Sequence, residues 1–339
     1  MDVTADEDEL AEARQINDMV EKVLAGMPSV HTVDPVVTRR ERAEGRGVFP
    51  APERLDVART VSVPGPAGDI PVRVLAPDRV DGVYLHIHGG GWVLGAADQQ
   101  DPWLWQLATG ANVAVASVDY RLAPEHPFPA GPDDCEAVAR WLLAGGATEL
   151  GSERLVIGGE SAGAHLSVVT LLRLRDGDAP GDGDAPGGDG NGGPAAGNAA
   201  PGFLGANLVF GAYDLGGTPS QRRWGDRNLI LSGPIVDWFL DCFLPGRSPE
   251  QRRDPAISPL YADLSGLPPA LFVVGDLDPL LDDSLFMAAR WRAAGNDADL
   301  AVFPESIHAF SAFPSALAAR AQAMQIAFVR RAVTGGGEA

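Results

Sequence analysis

The chain has 339 residues, with 26 Lys+Arg against 46 Asp+Glu, a net charge of −20, and 45% hydrophobic residues. That length suits two domains or one large α/β unit with an insertion, and the apolar fraction can fill a sizeable core. The acidic excess argues against nucleic acid, which needs a basic face, and against an anionic membrane surface.

Lys22 is the only lysine, so positive charge is almost all arginine. Cys135 and Cys242 are too few for a disulfide framework and have no metal-ligand spacing around them. Met1–Leu10 is acidic and lacks the charged and apolar regions of a signal peptide. No stretch reaches the ~18 consecutive apolar residues of a membrane-spanning helix. The expectation is a soluble, cytoplasmic protein.

In chain order, Leu10, Ile16, Val20 and Val23 give the N-terminal segment one apolar helical face, and Arg39–Glu44 is a short charged helix. Arg59–Val63 and Ile70–Leu75 read as strands joined by a Pro64–Asp69 turn. Strand and helix then alternate, the mark of a mostly parallel sheet covered on both faces. The strands are Val83–Ile87, Val113–Val118 and Leu155–Gly158; the helices are Pro132–Leu143, with Pro near its start, and Ala162–Leu174. Asp176–Gly202 breaks the pattern: DGDAPG occurs at Asp176–Gly181 and again at Asp182–Gly187, followed by Gly, Ala, Asn and Pro. Without large apolar residues it cannot offset its ordering entropy, so a flexible surface insertion is expected; two short Gly-Asp copies are poor grounds for a calcium site. Ala206–Phe210 resumes as a strand. Tyr213–Pro255, with Trp224, Trp238, Phe239 and Phe243, is partly helical and reads as an inserted cap. Ala270–Val274 and Leu300–Phe303 are the last strands, and Asp282–Ala294 and Phe313–Val333 the last helices.

Gly159-Glu160-Ser161-Ala162-Gly163 sits between an apolar strand and a helix. There a serine can occupy a tight turn that only small neighbours permit, with helix N–H groups behind it. His88-Gly89-Gly90-Gly91-Trp92 follows another strand, and its glycines leave backbone N–H groups open to a developing oxyanion. The two motifs start 71 residues apart, at His88 and Gly159, and supply a nucleophile and an anion hole. A base and an acid should follow in the order Ser, Asp/Glu, His. His165 lies one turn into the helix after the serine and reads as a packed helix residue, which leaves His308, in a loop after a strand. Asp276 and Asp278 both end a strand at the carboxyl edge of the sheet, and spacing does not choose between them. Asp282 and Asp283 read as first-turn residues stabilised by a helix dipole.

These segments resemble the bacterial hormone-sensitive-lipase family of α/β-hydrolase esterases: HGGGW at His88–Trp92, DYRLAPEHPFPA at Asp119–Ala130, GESAG at Gly159–Gly163, DPLLDD at Asp278–Asp283, and His308 with Phe310. The resemblance implies an α/β-hydrolase fold with a mostly parallel eight-stranded sheet. It divides the chain into an N-terminal helical part of a cap (1–48), a catalytic core (49–212, with the 176–202 insertion), an inserted helical cap (213–255) and the rest of the core (256–339). It makes Ser161, Asp278 and His308 the triad, Asp278 being the aspartate before Pro-Leu, and gives the oxyanion hole to Gly90, Gly91 and Ala162. Trp92, Glu160, Trp224 and Trp238 are the substrate-binding candidates. Glu160 stands where the family more often has Asp or Thr, and the insertion is longer than usual. The implied activity is a serine carboxylesterase for short- to medium-chain esters that works through an acyl-enzyme, without metal or organic cofactor. Its partner is a small-molecule ester rather than nucleic acid or membrane, and a homodimer would be unsurprising. An amidase, lactonase or acyltransferase would use the same residues; a non-catalytic receptor would not need His308.

Overall fold

The computed structural model describes residues 3–177 and 202–335, so the expected repeat insertion falls almost wholly outside the described residues. The strands are β1 (Arg59–Gly65), β2 (Gly68–Leu75), β3 (Gly82–Ile87), β4 (Val113–Val118), β5 (Leu155–Glu160), β6 (Phe203–Val209), β7 (Ala270–Leu277) and β8 (Ala298–Ile307). They form one sheet in the order β1-β2-β4-β3-β5-β6-β7-β8. The β1–β2 and β2–β4 pairs are antiparallel and the other pairs are parallel. The β1–β2 turn is tighter than the sequence suggests, because Pro64 and Gly65 still pair with Asp69 and Gly68.

The helices are α1 (Glu7–Ala25), α2 (Pro35–Ala43), α3 (Asp101–Ala111), α4 (Ala130–Trp141), α5 (Ala147–Glu149), α6 (Ala162–Gly177), α7 (Pro219–Trp224), α8 (Gly233–Phe243), α9 (Pro249–Arg252), α10 (Leu281–Ala293) and α11 (Ala316–Thr334). Every residue of β3, β4 and β5 is buried, which is why these strands read as unbroken apolar runs rather than alternating ones. Their side chains divide by the two-residue period of a strand. Val83, Leu85 and Ile87 join the core under α4, α6 and α10, whereas Tyr84 joins the core under α3 and α11. α3 has no counterpart among the sequence-derived elements. Its signal was there: Pro102 in the first turn and Leu104, Leu107, Ala108 and Ala111 on one buried face.

α1 begins with a capping box between Asp6 and Glu9 and packs against β8 and α11, with Val20 in the core. Asn17 donates to the Glu305 carbonyl at 2.9 Å. This helix therefore braces the sheet edge. Among the described N-terminal residues, those that line the cavity beyond the strand ends come later: Val30, Arg42 and residues 49–53. Between β6 and β7 run α7, α8 and α9, and α8 touches the turn at Val30–Thr32.

Parallel pairing brings the carboxyl ends of β3, β5, β6, β7 and β8 to one edge of the sheet. His88, Ser161, Phe210, Asp278 and His308 each stand just beyond one of those ends. This is where open α/β sheets gather reactive groups.

Candidate active site

Ser161 occupies the one-residue corner between β5 and α6 with φ 56°, a left-handed conformation uncommon outside glycine. The corner fits because its neighbours lack side chains. A Cβ on Gly159 or Gly163 would lie 2.0 or 1.8 Å from the Ile87 carbonyl oxygen, so β3 and the turn could not approach. The strain is held by close packing on every side, the condition under which such conformations persist.

His308 Nε2 lies 3.0 Å from Ser161 Oγ, and its Nδ1 lies 2.8 Å from Asp278 Oδ2. Asp278 is 1% exposed, and its other carboxylate oxygen accepts from the Leu280 N–H at 2.8 Å. The geometry thus separates the two aspartates that spacing leaves equal: Asp276 is exposed, and Asp278 meets the histidine. With Nδ1–H donated to the carboxylate, Nε2 is the acceptor facing the serine hydroxyl. Phe210 packs its edge on the His308 ring at 4.9 Å and limits ring motion.

The N–H groups of Gly90, Gly91 and Ala162 donate to no described residue. Gly90 and Gly91 have φ values of 117° and 61°. A Cβ on Gly91 would fall 2.4 Å from the Phe239 ring, so this loop is both folded and covered through its lack of side chains. Behind it, the Tyr120 hydroxyl donates to the His88 carbonyl at 2.9 Å and the His88 ring stacks on Tyr120 at 4.3 Å.

These groups open into a cavity of about 570 Å³. Trp92 and Glu160 line it; Trp224 and Trp238 do not. The Trp224 indole N–H instead donates to the Arg227 and Leu231 carbonyls, and the Trp238 ring lies tilted against Phe239, 5.0 Å between centres, off the cavity face. Helical spacing accounts for the difference. Ile235, Phe239 and Phe243 lie four residues apart on the buried face of α8, and Trp238 is rotated about 100° away. Phe239 covers Gly91, and Phe243 stacks on Trp92 at 4.7 Å. Phe210, Leu215, Ile230, Leu231 and Leu240 complete an apolar wall.

Glu160 is 8% exposed and bonded behind the serine corner: Oε2 lies 3.0 Å from His86 Nε2, and His86 Nδ1 lies 2.8 Å from Ser117 Oγ. This carboxylate–imidazole–hydroxyl chain ties β5 to β3 and β4. No spacing in the sequence announces it. Asp283 does more than complement a helix dipole. Its buried carboxylate accepts from the Tyr213 and Asp214 N–H groups, Thr218 Oγ1 and Gln221 Nε2, while Asp282 accepts from the Ser220 N–H. Together they fasten the inserted segment to the core.

His165 is fully buried, bonded at Nε2 to the Ile257 carbonyl (2.7 Å) and accepting the Trp92 indole N–H at Nδ1 (3.1 Å). Burial lowers its pKa from 6.5 to about 4. The unfolded chain takes up this proton below about pH 6.5, and the folded one refuses it until about pH 4, so acid favours unfolding. At pH 5 the cost is about 2 kcal/mol. His165→Gln keeps a donor for Ile257 but does not titrate. The stability gap between wild type and this variant, measured by urea unfolding, should therefore shrink by about 2 kcal/mol between pH 7 and pH 5. A gap that stays constant would contradict a neutral buried imidazole.

A family described as the alpha/beta hydrolase fold matches residues 84–312 of the chain. The carboxylesterase NlhH of Mycobacterium tuberculosis (strain ATCC 25618 / H37Rv) is 37% identical over 286 residues, 80% of each chain. The hyperthermophilic esterase from the archaeon Pyrobaculum calidifontis superposes with a TM-score of 0.79 at 25% identity, covering 93% of this chain and 97% of that one. A hormone-sensitive lipase from a metagenome library shares the fold, with a TM-score of 0.76 at 24% identity over 95% of this chain and 98% of that one. The chain belongs to the alpha/beta hydrolase family and is a carboxylic ester hydrolase.

Proposed function

We propose that Ser161, His308 and Asp278 are the catalytic triad of this ester hydrolase, that Gly90, Gly91 and Ala162 form its oxyanion hole, and that it acts on short- to medium-chain esters through an acyl-enzyme. The observation that carries the reading is the hydrogen-bonded row Ser161–His308–Asp278 opening into a cavity beside three free backbone donors. His308 Nε2 takes the hydroxyl proton as Ser161 Oγ attacks the ester carbonyl. Asp278 holds the imidazole in the accepting tautomer and stabilises the cation that forms. The carbonyl oxygen gains charge against the three N–H groups, each worth on the order of 3 kcal/mol in the transition state. His308 then returns the proton to the leaving alcohol. Water, deprotonated by the same nitrogen, attacks the acyl-enzyme and releases the acid.

In this reading the α7–α9 segment and the N-terminal residues around Arg42 and Phe49 act as a cap over the site. A small, largely apolar cavity under a cap supports small esters rather than an oil surface. No helix of the described residues is long and apolar enough to cross a membrane. Two free thiols, Cys135 and Cys242, are compatible with a reducing cytoplasm, and a homodimer with the cavity open is part of the same proposal.

The test is a p-nitrophenyl ester series from acetyl to dodecanoyl. kcat/KM should peak at or below octanoyl and fall steeply beyond it; a peak at dodecanoyl would overturn the small-pocket reading. Phe239, lying on Gly91, closes one wall, so Phe239→Ala should move the optimum to longer chains. Each further methylene that finds apolar cover gains about 0.8 kcal/mol, or about fourfold in kcat/KM. An unmoved optimum would show that another wall sets chain length.

A further inference from the structure

Arg42, near the end of α2, lines the same cavity as Ser161. Its guanidinium lies 5.5 Å from the centre of the Phe49 ring, which in turn stacks on Phe313 at 5.6 Å, so aromatic packing fixes its place. It makes no hydrogen bond and no ion pair with any described residue. Arg39, one turn earlier, behaves as a structural arginine does: it chelates Glu125 with both amino groups and bonds the Val93 and Ala123 carbonyls. Burial without a compensating anion lowers the Arg42 pKa to about 10.

The other charged groups along the wall do not answer this cation. Glu160 is engaged with His86. Asp214 accepts from Arg253, the Tyr261 hydroxyl and the Gly216 N–H. Glu53 stands exposed at the rim, with no ion pair to a described residue. Gln100, also on the wall, has a buried side-chain oxygen without a partner. A chain of net charge −20 thus keeps one unpaired, partly buried arginine on the wall of its reaction cavity. Such a group gains from a ligand anion, because a carboxylate supplies two charge-assisted hydrogen bonds to a guanidinium that the protein leaves without a polar partner.

We propose that the cavity takes esters carrying a free carboxylate remote from the scissile bond, and that Arg42 receives that carboxylate. The proposal rests on ester hydrolysis at Ser161 and adds the substrate class. It makes Arg42 a specificity-determining residue with no part in the chemical step.

The experiment compares monoethyl adipate (carboxylate on the acyl side) and 4-acetoxybutanoate (carboxylate on the alcohol side) with the neutral ethyl hexanoate and butyl acetate. The ratio of kcat/KM, charged over neutral, should fall about tenfold or more in Arg42→Gln for one charged ester, which also assigns the side. Arg42→Lys, which keeps the charge but not the fork, should recover part of that ratio. In the wild-type enzyme, adipate should inhibit ethyl hexanoate hydrolysis competitively, and less so as salt is raised. Ratios that are the same in wild type and Arg42→Gln, with no inhibition by adipate, would overturn the proposal. So would Glu53→Gln and Arg42→Gln changing every ester alike, since Arg42 would then serve only as a partner for Glu53. A wild-type enzyme idle on ethyl hexanoate and butyl acetate as well would instead refute ester hydrolysis at Ser161.

Discussion

Ser161→Ala should lower kcat about a million-fold while the protein folds as before. The substitution removes one oxygen and keeps the Cβ, so the left-handed corner at φ 56° is no more strained with alanine than with serine. The lost hydrogen bond to His308 accounts for about 1 kcal/mol of stability at most. Catalysis loses its covalent route. What remains is positioning and the three oxyanion donors, worth roughly a thousandfold over water in comparable hydrolases. The readout is kcat on p-nitrophenyl butyrate, with thermal unfolding as the check on folding. Activity within tenfold of wild type would remove Ser161 from the mechanism.

Asp278→Asn should lower kcat about ten-thousand-fold with little change in KM. The site is fully buried, and the amide matches the carboxylate in volume, so packing is preserved. Hydrogen bonding is not. Asp278 accepts twice, from His308 Nδ1 and from the Leu280 N–H, and an amide offers one acceptor and one donor. If the amide oxygen faces Leu280, the NH2 group faces Nδ1 and forces the proton onto Nε2. The ring then presents a donor to Ser161 and can no longer take its proton. If the oxygen faces His308, the Leu280 N–H is left buried and unpaired, at a cost of about 1–3 kcal/mol. A loss smaller than tenfold would mean that Asp278 does not set the tautomer.

The central sheet is legible because local chemistry decides it. Val83–Ile87 and Val113–Val118 are apolar runs of strand length between turn residues, and both of their faces are buried. α3 is harder to read for the opposite reason: Trp103 and Trp105 leave Gln106 with little of the polar stripe that marks an amphipathic helix, although Pro102 and the Leu104–Ala111 spacing are present. GESAG and HGGGW mark local turns and can be read from single segments. Choosing between Asp276 and Asp278 needs the third dimension: residues two apart share a face in a regular strand, but β7 breaks register with β8 between Gly275 and Leu277, and Asp278 stands just beyond its end. The Glu160–His86–Ser117 chain joins three strands that are neighbours only after folding. The cavity wall of α8 follows from a four-residue period that selects Phe239 and Phe243 over Trp238. Arg42 is the least legible of all. Nothing distinguishes it in sequence from Arg39 or Arg40: Arg39 pairs with Glu125, Arg40 stands exposed, and Arg42 lines the cavity against Phe49.

The most direct test of the central claim is to treat the enzyme with a p-nitrophenyl alkylphosphonate, count the nitrophenol released per chain and map the adduct by peptide mass spectrometry. One equivalent should be released, activity should fall in step with it, and the phosphonyl group should sit on Ser161 in the peptide carrying Gly159–Gly163. Complete inactivation with the label on any other residue would contradict it, as would undiminished ester hydrolysis by fully labelled Ser161.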